Sequence, residues 1–254
     1  MPNRSTGKRL RRVALLVACL LPPQAADAAG ISRHTLESGG EERTYFLAVP
    51  RELDPAAPVP LVILLHGSKR DGRSLVEPWR SLARQEGFLA VGPDAAVSDY
   101  WEPGTDGPGF LRDLVDHLAA RYPVDRRRVY LFGHSAGGGF ALQMGLLESR
   151  YFAAAALHAG AFSPGTEEWL PAEATRKIPF QIAVGTRDPF VPLARVRATR
   201  DALAAAGIPV ELVEMPNHDH GYYDRARRIN RTAWEFLSAH ALDEDPVFEV
   251  RRFR

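Results

Sequence analysis

Residues 133–137 read Gly-His-Ser-Ala-Gly, a G-x-S-x-G pentapeptide. The strand-like run Val129-Tyr130-Leu131-Phe132 precedes it, and a helix-like segment to about Leu147 follows. A sharp turn from strand to helix holds such a serine in a strained conformation with its Oγ clear of the sheet. The helix N-terminus then aims amides and the positive end of its dipole at a reacting oxygen. Gly137-Gly138-Gly139 costs the helix roughly 1 kcal/mol per glycine relative to alanine, tolerable where close packing or substrate access requires it. A serine hydroxyl is a weak nucleophile at its free pKa, so it needs a general base and an acid that orients the base. Asp188 stands just beyond the strand-like run Phe180–Val184, and His218 and His220 stand beyond the run Val210–Val213. Both sites are at strand C-terminal ends, where open α/β sheets place their chemistry. Asp94, after the run Leu89–Gly92, competes as the acid, and its other reading is a structural turn. A His-x-His metal pair competes for His218 and His220, but no further Cys or His cluster lies near it in the sequence, and neither metal nor cofactor is expected.

The elements that would hold these residues alternate regularly. Residues 31–49 read as one or two leading antiparallel strands. Leu61–Leu65 is a continuous apolar run, the mark of a strand buried on both faces. A helix is predicted over Trp79–Glu86, a strand over 89–92, and a helix over Phe110–Tyr122 from apolar residues at 110, 111, 114, 115 and 118. Beyond the serine come strands over 152–158, 180–184 and 210–213, with helices over 196–206 and 226–240. Alternation of this kind implies a mostly parallel sheet covered by helices on both faces. The domain is expected over residues 29–242, with a loose charged tail over 243–254.

These residues carry a family resemblance. Pro93-Asp94, the run Arg128 to Gly138 around Ser135, and Phe152-Ala153-Ala154 resemble α/β-hydrolase esterases of the group that includes feruloyl esterases, acetylxylan esterases and polyhydroxyalkanoate depolymerases; the likeness covers roughly residues 40–240. It implies an α/β-hydrolase fold and a triad in the chain order Ser135, Asp188, His, while the segments after Gly92 and after Gly160, about 15–20 residues each, are too short for a large cap. For the histidine, depolymerase-like members would favour His218. Asp219-His220-Gly221-Tyr222-Tyr223 instead resembles the Asp-His-Ser-Tyr-Tyr run of S-formylglutathione hydrolases except at Gly221, and His220 is the preferred base. The oxyanion hole would use the backbone amides of Ala136 and, by the His66-Gly67-Ser68 turn, of Ser68. His66 would fix that turn, and His66, Trp101 and Trp169 are the substrate-cleft candidates. The implied activity is hydrolysis of small, aryl, acetyl or short hydroxyalkanoate esters through an acyl-enzyme. A peptidase or other hydrolase of the same fold, and a non-catalytic binding protein built on it, are the alternatives.

Composition bounds the rest. The 254 residues are 45% hydrophobic and 25% charged, which excludes disorder and collagen, and the single cysteine excludes disulfide-stapled miniproteins. The formal charge of +1 makes no case for nucleic acid. It is unevenly placed: five basic residues between Arg4 and Arg12 precede the apolar run Val13–Leu21 and an Ala26-Asp27-Ala28 cleavage pattern. Residues 1–28 therefore read as a secretory signal, its apolar run Val13–Leu21 too short to span a bilayer, and the protein as secreted or periplasmic. Leu16-Val17-Ala18-Cys19 offers a lipobox as the alternative, which would anchor the protein through Cys19. Arg11-Arg12 also resembles a weak twin-arginine pattern. Without the leader the body holds 27 basic and 30 acidic residues, a charge of −3.

Overall fold

The computed structural model describes residues 30–249, so the expected leader and Cys19 lie outside the described residues. Among the described residues eight strands form one sheet in the order β1-β2-β4-β3-β5-β6-β7-β8. The strands are β1 (Ile31–Ser38), β2 (Glu41–Ala48), β3 (Val59–Leu65), β4 (Leu89–Pro93), β5 (Val124–His134), β6 (Ala154–His158), β7 (Phe180–Gly185) and β8 (Val210–Met215). β1 and β2 are antiparallel, joined by Gly39-Gly40 with φ of +62° and +84°. Two consecutive left-handed residues suit a tight hairpin whose twist matches its strands, and glycine adopts them without strain. β2 also runs antiparallel to β4, and every later pair is parallel.

Six helices among the described residues cover the sheet: α1 (Gly72–Glu86), α2 (Pro103–Asp106), α3 (Pro108–Ala119), α4 (Ala136–Leu147), α5 (Leu193–Ala205) and α6 (Tyr222–Ser238). Side chains of α1 and α6 pack on one face, around Trp79, Phe88, Phe132 and Trp234. Those of α3, α4 and α5 pack on the other, around Leu61, Ile63 and Leu65 of β3 together with Phe140, Leu146 and Phe180. Alternate residues of β3 thus serve opposite cores, since Val62 and Leu64 belong to the first face.

Several bounds differ from the sequence expectation. Helix α1 starts seven residues before Trp79, because Asp71 caps it by accepting from the Ser74 amide at 2.7 Å, and Pro78 inside the helix hides that first half from a propensity reading. Helix α2 and a short 3-10 turn at Leu170–Glu173 have no counterpart in the sequence reading. They are the only helical pieces in the segments 94–107 and 159–179, so no large cap covers the sheet's C-terminal edge. In place of a loose tail, residues 243–249 lie against the body: the Val247 amide donates to the Arg150 carbonyl, and the Phe248 ring meets Tyr151 edge-on with the Arg112 guanidinium over it.

Candidate active site

Ser135 sits between β5 and α4 with φ +56° and ψ −118°, a positive-φ conformation that non-glycine residues rarely adopt. Its neighbours make room for the turn. A Cβ on Gly133 would stand 2.1 Å from the Gly137 carbonyl oxygen, and one on Gly137 would stand 2.0 Å from the Leu65 carbonyl oxygen. The backbones of β5, α4 and β3 therefore meet where only glycine fits. The Ser135 amide donates to the His158 carbonyl at 2.9 Å, which ties the turn to β6.

Asp188 and His220 come from the loops after β7 and β8. These two loops are knitted together: the Thr186 amide donates to the Met215 carbonyl at 3.0 Å and the Arg187 amide to the His218 carbonyl at 2.9 Å. Asp188 is buried, and its Oδ1 accepts from the amides of Phe190 and Val191, both at 2.9 Å. Its Oδ2 lies 2.8 Å from His220 Nδ1, and His220 Nε2 lies 2.9 Å from Ser135 Oγ. A carboxylate only accepts, so Nδ1 carries the proton and Nε2 offers its lone pair to the serine hydroxyl.

His218 has a different setting. It is buried, with Nε2 3.3 Å from His158 Nε2, while His158 Nδ1 lies 3.0 Å from His134 Nδ1. Three imidazoles thus run in a row beside His220. Burial pushes His134 down to about 3 and His158 down to about 2, with neighbouring imidazoles adding to the shift, so both stay neutral. Among the described residues no group of three or more His, Cys, Asp or Glu side chains is arranged to hold a metal ion.

Asp94 serves another element. Its Oδ1 accepts from the Gly72 amide at 2.8 Å at the start of α1. His66 is buried rather than facing the cleft: its Nδ1 donates to the Gly67 carbonyl at 2.9 Å, and its Nε2 accepts from the Ala95 amide at 3.2 Å. Burial lowers its pKa and keeps it the neutral imidazole that this pair of bonds needs. It fixes the 66–68 turn, and Gly67 of that turn approaches Ser135 closely enough that a Cβ would stand 3.4 Å from the serine Cβ.

Two hollows flank Ser135. The smaller, about 310 Å³, is lined by Tyr100, Trp101, Ala136, Phe140, Gln143 and Arg195 among others. Trp101 is held there by its indole N–H on the His66 carbonyl at 2.9 Å and by stacking on Phe140. The larger, about 730 Å³, is lined by Ser68, Lys69, Arg70, Phe190, His220 and Tyr223 among others. Trp169 lines neither: it is 47% exposed at the start of the 3-10 turn, so the length of that segment carries it away from the serine. Sequence reasoning misses Arg195, Gln143, Phe190 and the Lys69-Arg70 pair. Of these, Phe190, two residues past Asp188, and Lys69, next to Ser68, carry a positional signal.

Comparison with known proteins agrees with the fold. The model of the family described as the dienelactone hydrolase family matches residues 94–242. A poly(3-hydroxybutyrate) depolymerase from Ralstonia pickettii is 29% identical over 193 residues, covering 65% of this chain and 39% of that one. A bifunctional acetylxylan esterase/xylanase from Neocallimastix patriciarum is 32% identical over 105 residues, covering 40% of this chain and 15% of that one. The chain thus spans well under half of either relative. Among solved structures, Thermogutta terrifontis esterase 2 superposes with a TM-score of 0.69 at 20% identity, covering 87% of this chain and 97% of that one, a likeness of fold.

Proposed function

The chain belongs to the dienelactone hydrolase family, and from that premise we propose that it is a serine carboxylic-ester hydrolase working through an acyl-enzyme on Ser135. The observation that carries this reading is the line Ser135 Oγ, His220 Nε2, His220 Nδ1, Asp188 Oδ2, closed at 2.9 and 2.8 Å by residues from three separate loops. Ser135 Oγ attacks the ester carbonyl carbon while His220 takes its proton and Asp188 stabilises the imidazolium. The amides of Ala136 and Ser68 receive the oxyanion, each donor worth about 3 kcal/mol in the transition state. Collapse expels the alcohol, protonated by His220, and water repeats the sequence on the acyl-enzyme.

The open cleft and its aromatic wall suit acetyl, aryl and short hydroxyalkanoate esters, and the names of the two curated relatives point the same way. Among the described residues no helix is long and apolar enough to cross a membrane. The reading of residues 1–28 as an export signal stays part of this proposal, and the intact mass of the exported protein tests it: a start at Ala29 supports the signal, a lipidated Cys19 the anchor. For the activity, a fluorophosphonate probe should label the protein at Ser135 and block turnover of p-nitrophenyl acetate. Absence of both labelling and turnover in folded protein overturns the esterase reading.

A further inference from the structure

The larger hollow beside Ser135 is lined by Lys69, Arg70, Phe190 and Tyr223, among others. Tyr223 is followed at once by Asp224 and Arg225, which line a second hollow of about 400 Å³ together with Arg227, Arg228 and Arg231. Helix α6 explains the cluster: its buried face is Tyr222, Ala226, Ile229, Asn230, Ala233 and Trp234, so the residues between them face solvent. Arg231 pairs with Glu86 on α1 at 2.8 Å. Lys69, Arg70, Arg225, Arg227 and Arg228 are exposed and enter no ion pair among the described residues. Two carboxylates lie along the same path, Asp219, whose Oδ1 accepts from the Gly221 amide at 2.8 Å, and Asp224. Cations still outnumber them, in a chain whose body from residue 29 onward carries −3.

Two aromatic rings stand at the serine end of this charge. Phe190 is 73% exposed with its ring against His220, and Arg70 lies over the Tyr223 ring at 4.9 Å. An exposed ring takes the apolar face of a sugar, and an unpaired guanidinium takes a carboxylate in bidentate fashion. Rings beside the serine, followed along α6 by a hollow lined with guanidiniums, fit an extended chain better than a flat lipid surface.

We propose that the track from Lys69 and Arg70 over Tyr223 to Arg225, Arg227 and Arg228 binds a polyanionic carbohydrate, a uronate-containing polysaccharide, and presents its ester substituents to Ser135. The proposal rests on the esterase reading above and names the class of its substrate. Its electrostatic share weakens with salt, since exposed charges are screened over about 8 Å at physiological ionic strength.

The test uses the full chain and the variant R225Q/R227Q/R228Q, which leaves the groups around Ser135 in place. Polygalacturonate binding is read by affinity electrophoresis on Ser135→Ala protein with and without the three changes. Deacetylation is read on acetylated polygalacturonate, on neutral acetylated xylan and on p-nitrophenyl acetate. The expected result is retardation by polygalacturonate that weakens about tenfold or more in the triple variant and at high salt. A similar loss of kcat/KM is expected on the acidic polymer alone, with p-nitrophenyl acetate turnover essentially unchanged. Equal behaviour of the two proteins on polygalacturonate overturns the proposal. So does binding to phosphatidylglycerol vesicles or to DNA without binding to polygalacturonate. Failure to cleave any of the three esters, with polygalacturonate still bound, refutes the esterase reading and leaves the binding track standing.

Discussion

Gly137 is the position where a single methyl group should do the most damage to the site. A Cβ there would stand 2.0 Å from the Leu65 carbonyl oxygen, 2.4 Å from the Leu65 carbonyl carbon and 2.5 Å from the His66 carbonyl oxygen. All three are backbone atoms, so no side chain can rotate away. To reach even a bare contact of about 3 Å, α4 and the end of β3 must part by about 1 Å. The end of β3 leads directly into His66-Gly67-Ser68, while α4 carries the Ala136 amide. Parting them pulls the two proposed oxyanion donors away from one another. A misplacement of about 1 Å costs on the order of a hundredfold in rate. Gly137→Ala should therefore lower kcat on p-nitrophenyl acetate about a hundredfold with KM changed far less. Overpacking should also lower the unfolding free energy by about 1–3 kcal/mol. Gly109→Ala is the control: it lies in α3, nothing stands within 4 Å of its Cβ, and the change should stabilise by up to about 1 kcal/mol without touching kcat. A Gly137→Ala enzyme with a kcat close to that of the parent would refute the reasoning.

Three other changes follow from the same geometry. Asp188→Asn should keep the fold but allow the wrong tautomer of His220, lowering kcat by about 10⁴-fold in steady-state assays of the purified variant. Asp106 is fully buried, pairs with Arg43 and accepts from the amides of Ala96 and Glu102. Asp106→Asn leaves the Arg43 charge uncompensated and should cost about 3 kcal/mol in urea unfolding. The neutral His134 and His158 bind protons in the unfolded chain below pH 6.5 but not in the folded one until pH nears 3 or 2. Stability from this source is thus whole above about pH 6.5 and lost as pH falls below it, by about 1.4 kcal/mol per pH unit for each histidine. Urea midpoints measured from neutral to mildly acid pH should show that slope, and His158→Gln should reduce it.

What can be read in the sequence is whatever a local pattern encodes. The central strands announce themselves as unbroken apolar runs because both their faces are buried. Asp188 and His220 are readable because each follows a strand-like run, although Gln181 interrupts the first and Glu211 the second. The start of α1 is not, since Pro78 argues against a helix while Asp71, seven residues earlier, begins one. Arg43 and Asp106 meet across 63 residues, and no spacing signals such a pair. The row His134, His158, His218 is invisible for the same reason, which leaves His218 open as a rival base when only the sequence is considered. Trp169 falls outside the cleft because nearness in sequence to the end of β6 does not fix where a long segment carries a side chain.

The strands that lead to Ser135, Asp188 and His220 do not share one depth in the sheet. Ser135 follows β5, which has β3 and β6 on its flanks, whereas β8, which leads to His220, pairs among the described residues with β7 alone. Outer strands exchange their amide protons through small local openings, inner ones mostly through loss of the whole structure. The proposed base is thus mounted on the part of the molecule that frays first, and the proposed nucleophile on the part that frays last. Turnover becomes a gauge of the rim: as urea rises, it should fade while the inner sheet still shields its amides from solvent.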